Sequence, residues 1–243
     1  MFELNNVFVR RGGKEILREV NLGIGFSERV VLTGPNGSGK THLGLLLSGM
    51  IYPTEGTIIV DGKNIKDYEL KDMRRISGIV FQEPEMQFIT MSVEKEILFG
   101  LQNIGLNYDE MKLRAEKIKS MFGLDNLWNK SPYQLSGGEK QIVAIASIVA
   151  MEPSFIIFDE ITTFLDRKHR ERIYEILKQL RCGYLWITQD FDEIPIGERL
   201  LVLEDGRIVF DGQVEPLVKS LEIDSPLNRL KRLLIEEGLE EFL

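Results

Sequence analysis

Gly34-Pro35-Asn36-Gly37-Ser38-Gly39-Lys40-Thr41 matches the pattern G-x-x-x-x-G-K-[ST] in full. Each residue type has a chemical reason. Triphosphate oxygens need several N–H donors converging on a small volume, and glycines let the backbone wrap that closely. A helix opening directly after the loop adds free N–H groups and the positive end of its dipole. Lys40 supplies charge for the β- and γ-phosphates, and the Thr41 hydroxyl is a ligand for Mg²⁺. The flanks fit. Arg29-Val30-Val31-Leu32-Thr33 is a short β-branched run with no helical period, and Thr41 to Met50 reads as an apolar helix. Strand, glycine-rich loop and helix in that order specify a nucleotide site in an α/β fold.

Two further segments extend this reading. Phe155-Ile156-Ile157-Phe158-Asp159-Glu160 is an apolar run ending in two carboxylates. Such a run reads as a strand buried on both faces of a parallel sheet, its carboxyl end facing the ligand crevice. There Asp159 is placed to hold Mg²⁺ through water and Glu160 to polarise an attacking water. Leu135-Ser136-Gly137-Gly138-Glu139 precedes a helix read from Lys140 to Met151. Ser136 suits a helix start, and the glycines leave a second exposed N-terminus able to bind an anion. One chain thus carries two phosphate-binding elements far apart in sequence. A monomer needs only one, which hints at a site shared between two chains.

Around these motifs the chain divides. Phe2 to Val9 and Ile16 to Ile24 read as strands about a turn at Arg11-Gly12-Gly13-Lys14, with another strand at 57–61 and a short apolar run at Ile79-Val80-Phe81. From about Pro84 to Glu152 the spacing turns helical, with helices expected over Ser92 to Asn103 and Asp109 to Phe122. Arg167 to Leu180 reads as a helix, Tyr184 to Thr188 as a strand, and Leu200 to Phe210 as a hairpin about Glu204-Asp205-Gly206. A tail from about Val214 carries Leu227, Leu230, Leu233 and Leu234 on one helical face. The 243 residues contain one cysteine, Cys182, which excludes an intramolecular disulfide framework, and only two histidines, which disfavours a His-rich metal centre or a Ser-His-Asp enzyme. A formal charge of −8 disfavours a duplex-binding surface. No uncharged apolar run reaches the roughly 18 residues of a membrane span, so the chain is expected to be soluble, with any membrane role coming through a partner.

These motifs, in this order, resemble the nucleotide-binding subunits of ABC transporters over residues 2–212. Leu135 to Glu139 matches the signature, with Glu139 where Gln is commonest. Gln82 in Val80-Phe81-Gln82 matches the Q-loop, Asp159-Glu160 the Walker B motif and Leu165-Asp166 the D-loop. Within that family, Val80 to Phe88 and Glu96 to Leu101 resemble energy-coupling-factor ATPases, which drive uptake of vitamins and of nickel or cobalt. The resemblance implies an α/β P-loop NTPase domain of ABC type over 1–213, with an antiparallel β subdomain and an α-helical subdomain inserted at about 84–152, and a C-terminal helical extension over 214–243 that serves dimerisation. It implies ATP and Mg²⁺ as cofactors. ATP is then contacted by Arg11, by Gly34, Pro35, Asn36, Gly37, Ser38, Gly39, Lys40, Thr41 and His42, and, from the opposite chain, by Ser136, Gly137, Gly138 and Glu139. Thr41, Gln82 and Asp159 serve the metal; Lys40, Gln82, Glu160 and Gln189 serve the chemistry. The implied partners are a second ABC ATPase chain, in a heterodimer before a homodimer, an integral-membrane coupling subunit and a substrate-binding membrane subunit, with no nucleic acid. The implied place is peripheral, on the cytoplasmic face of the membrane. The surface from Glu83 to Phe88 is expected to receive a coupling helix.

Four positions depart from the family pattern. Gln189, in Ile187-Thr188-Gln189-Asp190, stands where a switch histidine is usual; Gln donates a hydrogen bond but carries neither proton nor charge near neutral pH. Arg11 replaces the aromatic that stacks on adenine, although a guanidinium can stack as well. His42 takes a position common for Ser or Thr beside the α-phosphate, and Ile142 replaces a basic residue shortly after the signature. The expectation is an ATPase motor subunit forming one half of an unequal pair, with activity at its own phosphate loop reduced by Gln189. A weakly hydrolysing regulatory subunit is the alternative. A soluble ABC protein acting on DNA or ribosomes, or a small-molecule kinase, fits less well; in a kinase Leu135 to Gly138 would have no role.

Overall fold

Alternating burial builds the first sheet of the computed structural model, which describes residues 1–214. β1 (Phe2–Arg11) and β2 (Lys14–Ile24) pair antiparallel across Gly12 and Gly13, whose φ angles of 58° and 77° suit a tight hairpin. β4 (Glu55–Val60) pairs with the other edge of β1, and β5 (Lys63–Asn64) completes the order β2-β1-β4-β5.

The second sheet is made of apolar runs. β3 (Arg29–Thr33), β6 (Ser77–Val80), β7 (Phe155–Asp159), β8 (Gly183–Ile187) and β9 (Arg199–Glu204) are joined by parallel pairing, and β10 (Arg207–Gln213) adds antiparallel to β9. The order is β10-β9-β3-β8-β7-β6. Every residue of β6, β7 and β8 is buried, which is why these strands read as continuous apolar runs instead of alternating ones. Helix α1 (Lys40–Leu47) buries Leu43, Leu46 and Leu47 in the core between the two sheets. Phe2 of the first sheet, fully buried, meets Phe26 and Phe155 edge-on at 5.1 and 5.4 Å and so joins the sheets directly.

Helices α3 (Val93–Asn103), α4 (Tyr108–Phe122) and α5 (Gly137–Ala150) pack on one another within the other core cluster. Local chemistry fixes their ends. The Ser92 hydroxyl accepts the Lys95 N–H at the start of α3, Asn107 and Glu110 form a capping box on α4, and Gly123 ends α4 in the left-handed region. Ile142, 1% exposed, lies in the same core, so its apolar character at a position usually basic is accounted for by packing. α6 (Arg167–Gln179) adds Ile173, Ile176 and Leu177 to that core.

The differences from the sequence reading have local causes. α1 stops at Leu47, short of Met50, because Gly49 turns the chain at φ 71°. α5 begins at Gly137, earlier than Lys140, because Ser136 caps it and draws the glycines into its first turn. α2 (Leu70–Ile76) and β5 escaped the reading: α2 buries only Met73 and so shows no apolar stripe, and β5 has two residues. The C-terminal extension, with its leucines at 227, 230, 233 and 234, lies outside the described residues. Among the described residues no helix is long and apolar enough to cross a membrane.

Replacing Phe2 by Ala removes the aromatic contact between the sheets and leaves a cavity. Urea unfolding is expected to show a loss of about 3–5 kcal/mol; a loss under about 1 kcal/mol would mean that the sheets are joined elsewhere.

Candidate nucleotide site

The parallel order brings four separate chain segments to one sheet edge. The loop after β3, Gln82 after β6, Asp159-Glu160 at the end of β7 and Gln189 after β8 all follow the carboxyl ends of neighbouring strands. Within the phosphate loop, Pro35, Asn36 and Gly37 are exposed, while Ser38, Gly39 and Lys40 are buried. Gly34 has φ 144°, and a Cβ there would overlap the Leu203 carbonyl; Gly39 has φ 107°, and a Cβ there would lie 2.9 Å from the Ile16 carbonyl oxygen. The Gly206 N–H, in the β9–β10 turn, donates to Ser38 O at 3.1 Å, and its carbonyl accepts the Arg18 N–H at 2.8 Å. The loop is thus clamped between β2 and the β9–β10 turn. Lys40 Nζ donates to Gly34 O and Pro35 O at 2.8 and 3.0 Å, reaching back across the loop.

Asp159 is buried, with the Thr41 hydroxyl on hand to favour its charged form; Glu160 follows at φ 50°, in the left-handed region. Its backbone N–H donates to Ile187 O at 3.0 Å. Glu160 Oε1 stands 3.9 Å from Lys40 Nζ. Gln189 Nε2 donates to Glu160 Oε1 at 2.6 Å and to Asn36 Oδ1 at 2.7 Å, bridging the acidic strand end and the phosphate loop. These residues, with half-buried Gln82, line a cleft of about 520 Å³. Burial pushes the Lys40 ammonium below its ordinary pKa, opposed by Glu160 and then Asp159. Burial raises the Asp159 carboxyl; the Thr41 hydroxyl opposes this, Glu160 adds to it and Lys40 opposes it. A dication or a polyanion would each offset one of these charges.

Thr41, Gln82 and Asp159 supply hydroxyl, amide and carboxylate oxygens, the hard donors that Mg²⁺ takes. Among the described residues no group of three or more His, Cys, Asp or Glu side chains is placed to hold a metal alone. The donor set therefore fits an ion whose remaining positions go to phosphate oxygens and water. Arg11 is exposed at the end of β1, and its charge reaches His42. Burial first, then Arg11, pushes the His42 imidazole below its usual range, so it is neutral at pH 7; its Nε2 is buried without a partner.

The second anion-binding element is more specialised than its sequence suggests. Ser136 Oγ accepts the Glu139 N–H at 3.4 Å and donates to Glu139 Oε2 at 2.9 Å, which also accepts the Ser136 N–H at 2.9 Å: a capping box. Those hydrogen bonds hold the Glu139 carboxyl below the usual range. The two glycines differ. Gly137 is exposed, and a Cβ there would meet nothing within 4 Å. Gly138 is buried, and the space beside it holds the His169 ring, whose Nδ1 lies 2.9 Å from Asp166 Oδ1. Gly138 thus has a packing reason of its own, since it makes room for His169, whereas at Gly137 the space is open. Of the expected surface Glu83 to Phe88, Glu83, Glu85 and Met86 are exposed and Phe88 is not. Phe88 belongs to the core, and Glu85 pairs with Lys140 at 2.6 Å. The exposed apolar side chains are Met86 (73%), Ile89 and Met91 (74%). Sequence reasoning missed what holds this loop. Gln87 Nε2 donates to Ala144 O and Ser147 Oγ at 3.0 Å, and buried Glu96 accepts from Ile89 N, Thr90 N and Thr90 Oγ1. Both residues lie in the stretches Val80 to Phe88 and Glu96 to Leu101 that carry the energy-coupling-factor resemblance, but their bonding partners are remote in sequence or on the backbone and could not be read from it.

The chain is similar to known proteins in sequence and in fold. A family model described as ABC transporter matches residues 17–163. The chain is 34% identical to the energy-coupling factor transporter ATP-binding protein EcfA1 of Ligilactobacillus salivarius, over 99% of this chain and 90% of that one. It is 39% identical to EcfA1 of Halalkalibacterium halodurans, over 81% and 72%. In structure it resembles cbiO1 of Clostridium perfringens, part of the ABC transporter complex cbiONQ, with a TM-score of 0.80, 29% identity and coverage of 99% and 98%. It also resembles the ATP-binding cassette MJ0796, solved as a dimer in a post-hydrolysis state bound to ADP and Pi, with a TM-score of 0.79, 30% identity and coverage of 88% and 99%.

The unlike surroundings of the two glycines separate two kinds of damage. Gly138→Ala should lower the melting temperature by several degrees, and His169→Ala in the same chain should restore most of it. Gly137→Ala should leave the melting temperature unchanged while impairing ATP turnover. A Gly138→Ala loss that His169→Ala leaves untouched would refute the steric account.

Proposed function

The chain belongs to the ABC transporter family and is an ATP-binding ATPase, and from that premise we propose that it powers an importer of the energy-coupling-factor type. The reading rests on one observation above others: Lys40, Glu160, Gln189 and Asn36 form a continuous polar chain across the mouth of the cleft, with Glu160 at its centre. The ECF names of the relatives support the transport assignment.

In this mechanism the phosphate loop binds ATP through its backbone N–H groups and Lys40, with Thr41, Gln82 and Asp159 serving Mg²⁺, which when bound neutralises developing charge on the phosphates. Glu160 accepts the hydrogen bond of the attacking water and aims it at the γ-phosphate. Gln189 fixes the Glu160 carboxylate and ties it to the loop. The observed hydrogen bond supports a working site over a weakly hydrolysing one: orienting Glu160 needs a donor, which Gln189 is, and not a titrating group. In this mechanism Arg11 stacks on the adenine and His42 serves the α-phosphate; the exposure of Arg11 and the nearness of its charge to His42 support that reading.

The composite site is part of the proposal. Gly137 is exposed, has open space around it and sits on a capped helix N-terminus. Nothing among the described residues calls for a glycine there, whereas a triphosphate held by a second ATPase chain would. Dimerisation, by way of the segment 214–243 as a unit separate from 1–213, and a peripheral place on the cytoplasmic face of the membrane belong to the same reading. Met86, Ile89 and Met91 give a membrane coupling subunit an apolar foothold, and a further membrane subunit would bind the substrate.

Pull-down of the full chain from detergent-solubilised membranes should bring down an integral-membrane subunit, and Met86→Asp with Met91→Asp should abolish this without changing ATP affinity. Retention of the subunit by that double variant would rule out this docking surface. Glu160→Gln keeps the contacts to nucleotide but cannot accept the proton; it should cut turnover by about 10²-fold or more and accumulate an ATP-bound dimer on gel filtration. Wild-type turnover in that variant would remove Glu160 from the chemistry.

A further inference from the structure

Glu193 is a carboxylate in the core. It is 2% exposed, on the short helical turn Phe191–Ile196 that follows Gln189. Its Oε1 accepts the Thr162 hydroxyl at 2.6 Å and the Tyr174 hydroxyl at 2.7 Å; its Oε2 accepts the Trp186 indole N–H at 2.9 Å. All three donors are neutral, and no salt bridge reaches Glu193 among the described residues. Burying a carboxylate without a cation is costly unless its oxygens are filled with hydrogen bonds. An apolar side chain would fill this volume at lower cost, so the choice of Glu calls for a reason other than packing.

The three donors come from three segments that meet at the cleft. Thr162 lies two residues after Glu160. Trp186 lies on β8, three residues before Gln189. Tyr174 lies on α6, one turn after Arg170. Arg170 makes a second tie nearer the solvent: its Nε donates to Leu165 O at 3.1 Å and its Nη1 to Asp190 Oδ2 at 3.0 Å. Glu193 therefore knots the loop that carries Glu160 to the loop that carries Gln189, and both to α6. Burial, then the bond to Glu193, raises the Tyr174 phenol above its usual value, so that this donor keeps its proton at any working pH.

We propose that Glu193 is a positioning residue for hydrolysis, its buried carboxylate holding the Glu160 and Gln189 loops in the register that puts Gln189 Nε2 within 2.6 Å of Glu160. Glu193, buried away from the cleft, acts through Thr162 and through the chain leading back to Gln189. Its loss would leave the phosphate loop and Lys40 in place and loosen only the hydrolytic pair. The inference rests on the reading of Glu160 and Gln189 as that pair.

The test is steady-state turnover and fluorescent-nucleotide binding of the full chain in its complex. Glu193→Ala should lower kcat about tenfold or more and leave the nucleotide Kd within about twofold. Glu193→Gln should recover most of kcat, because the amide can accept the Trp186 N–H and donate to both hydroxyls, which reverse their roles. In a Gln189→Ala background, Glu193→Ala should cost no more than about twofold further in kcat, since both changes release the same group. Thr162→Val, which cuts one tie and leaves the fold intact, should give a smaller loss of the same kind and decides the matter if Glu193→Ala does not fold. Normal kcat in Glu193→Ala or Thr162→Val, or equal losses in kcat and nucleotide affinity, would overturn the inference. So would full multiplication of the Glu193→Ala and Gln189→Ala losses. If Gln189→Ala alone leaves turnover intact, the catalytic reading of Gln189 falls instead, and the Thr162→Val rate still judges Glu193.

Discussion

There is no room for a side chain at two points of the phosphate loop, and the architecture follows from that. Gly34 is pressed on the Leu203 carbonyl and Gly39 on the Ile16 carbonyl. One contact comes from the parallel sheet and the other from the antiparallel one. The loop can wrap an anion only if both sheets approach it at backbone distance, and Phe2, Phe26 and Phe155 join the same two sheets elsewhere in the core. The Gly206 N–H closes the arrangement by bonding Ser38 O. A gap of one methyl group in this stack would move donors that must converge on oxygens at hydrogen-bond length.

Strand order turns this clamp into a chemical site. β3, β8, β7 and β6 are neighbours in space although β7 and β8 come long after β3 and β6 in sequence. Parallel pairing aligns their carboxyl ends, so Lys40, Gln82, Glu160 and Gln189 gather without any long loop reaching across the molecule. The helices α3, α4 and α5 contribute the outward-facing elements, the Ser136 cap and the Met86–Met91 surface, and are pinned to the sheet body by Gln141 Nε2 on Phe81 O at 3.2 Å. The sheet body that carries the phosphate loop and the helical part thus meet at the Phe81-Gln82 step.

Much of the site was legible in the sequence because its chemistry is local. The phosphate loop and the Asp159-Glu160 pair each lie within a few consecutive residues, and apolar runs announce the strands that carry them. What stayed hidden depends on segments remote in sequence. That Gly138 leaves room for His169, that Phe88 is core while Met86 is surface, that Glu85 is paired with Lys140 and that Glu193 gathers three donors are facts of packing that no spacing rule expresses. Ile142 shows the converse: a departure from the family pattern that suggested altered function has an ordinary place in the core. Gln189 falls between, since its identity was plain but its double bond to Asn36 and Glu160 was not.

Lys40 donates to the carbonyls of its own loop. The ammonium group is therefore not bare in the low-polarity interior, and the loop is held in its wrapped shape by the same residue that, in the mechanism proposed above, then faces phosphate. Nucleotide entry becomes an exchange of partners: two neutral acceptors give way to charged ones, which bind more strongly. Little chain entropy is lost in that exchange, because the backbone is ordered beforehand. A receptor of this kind gains its selectivity from the difference in acceptor strength, and it returns to its resting bonds without unfolding once the anion departs, a property well suited to a part that must reset on every cycle.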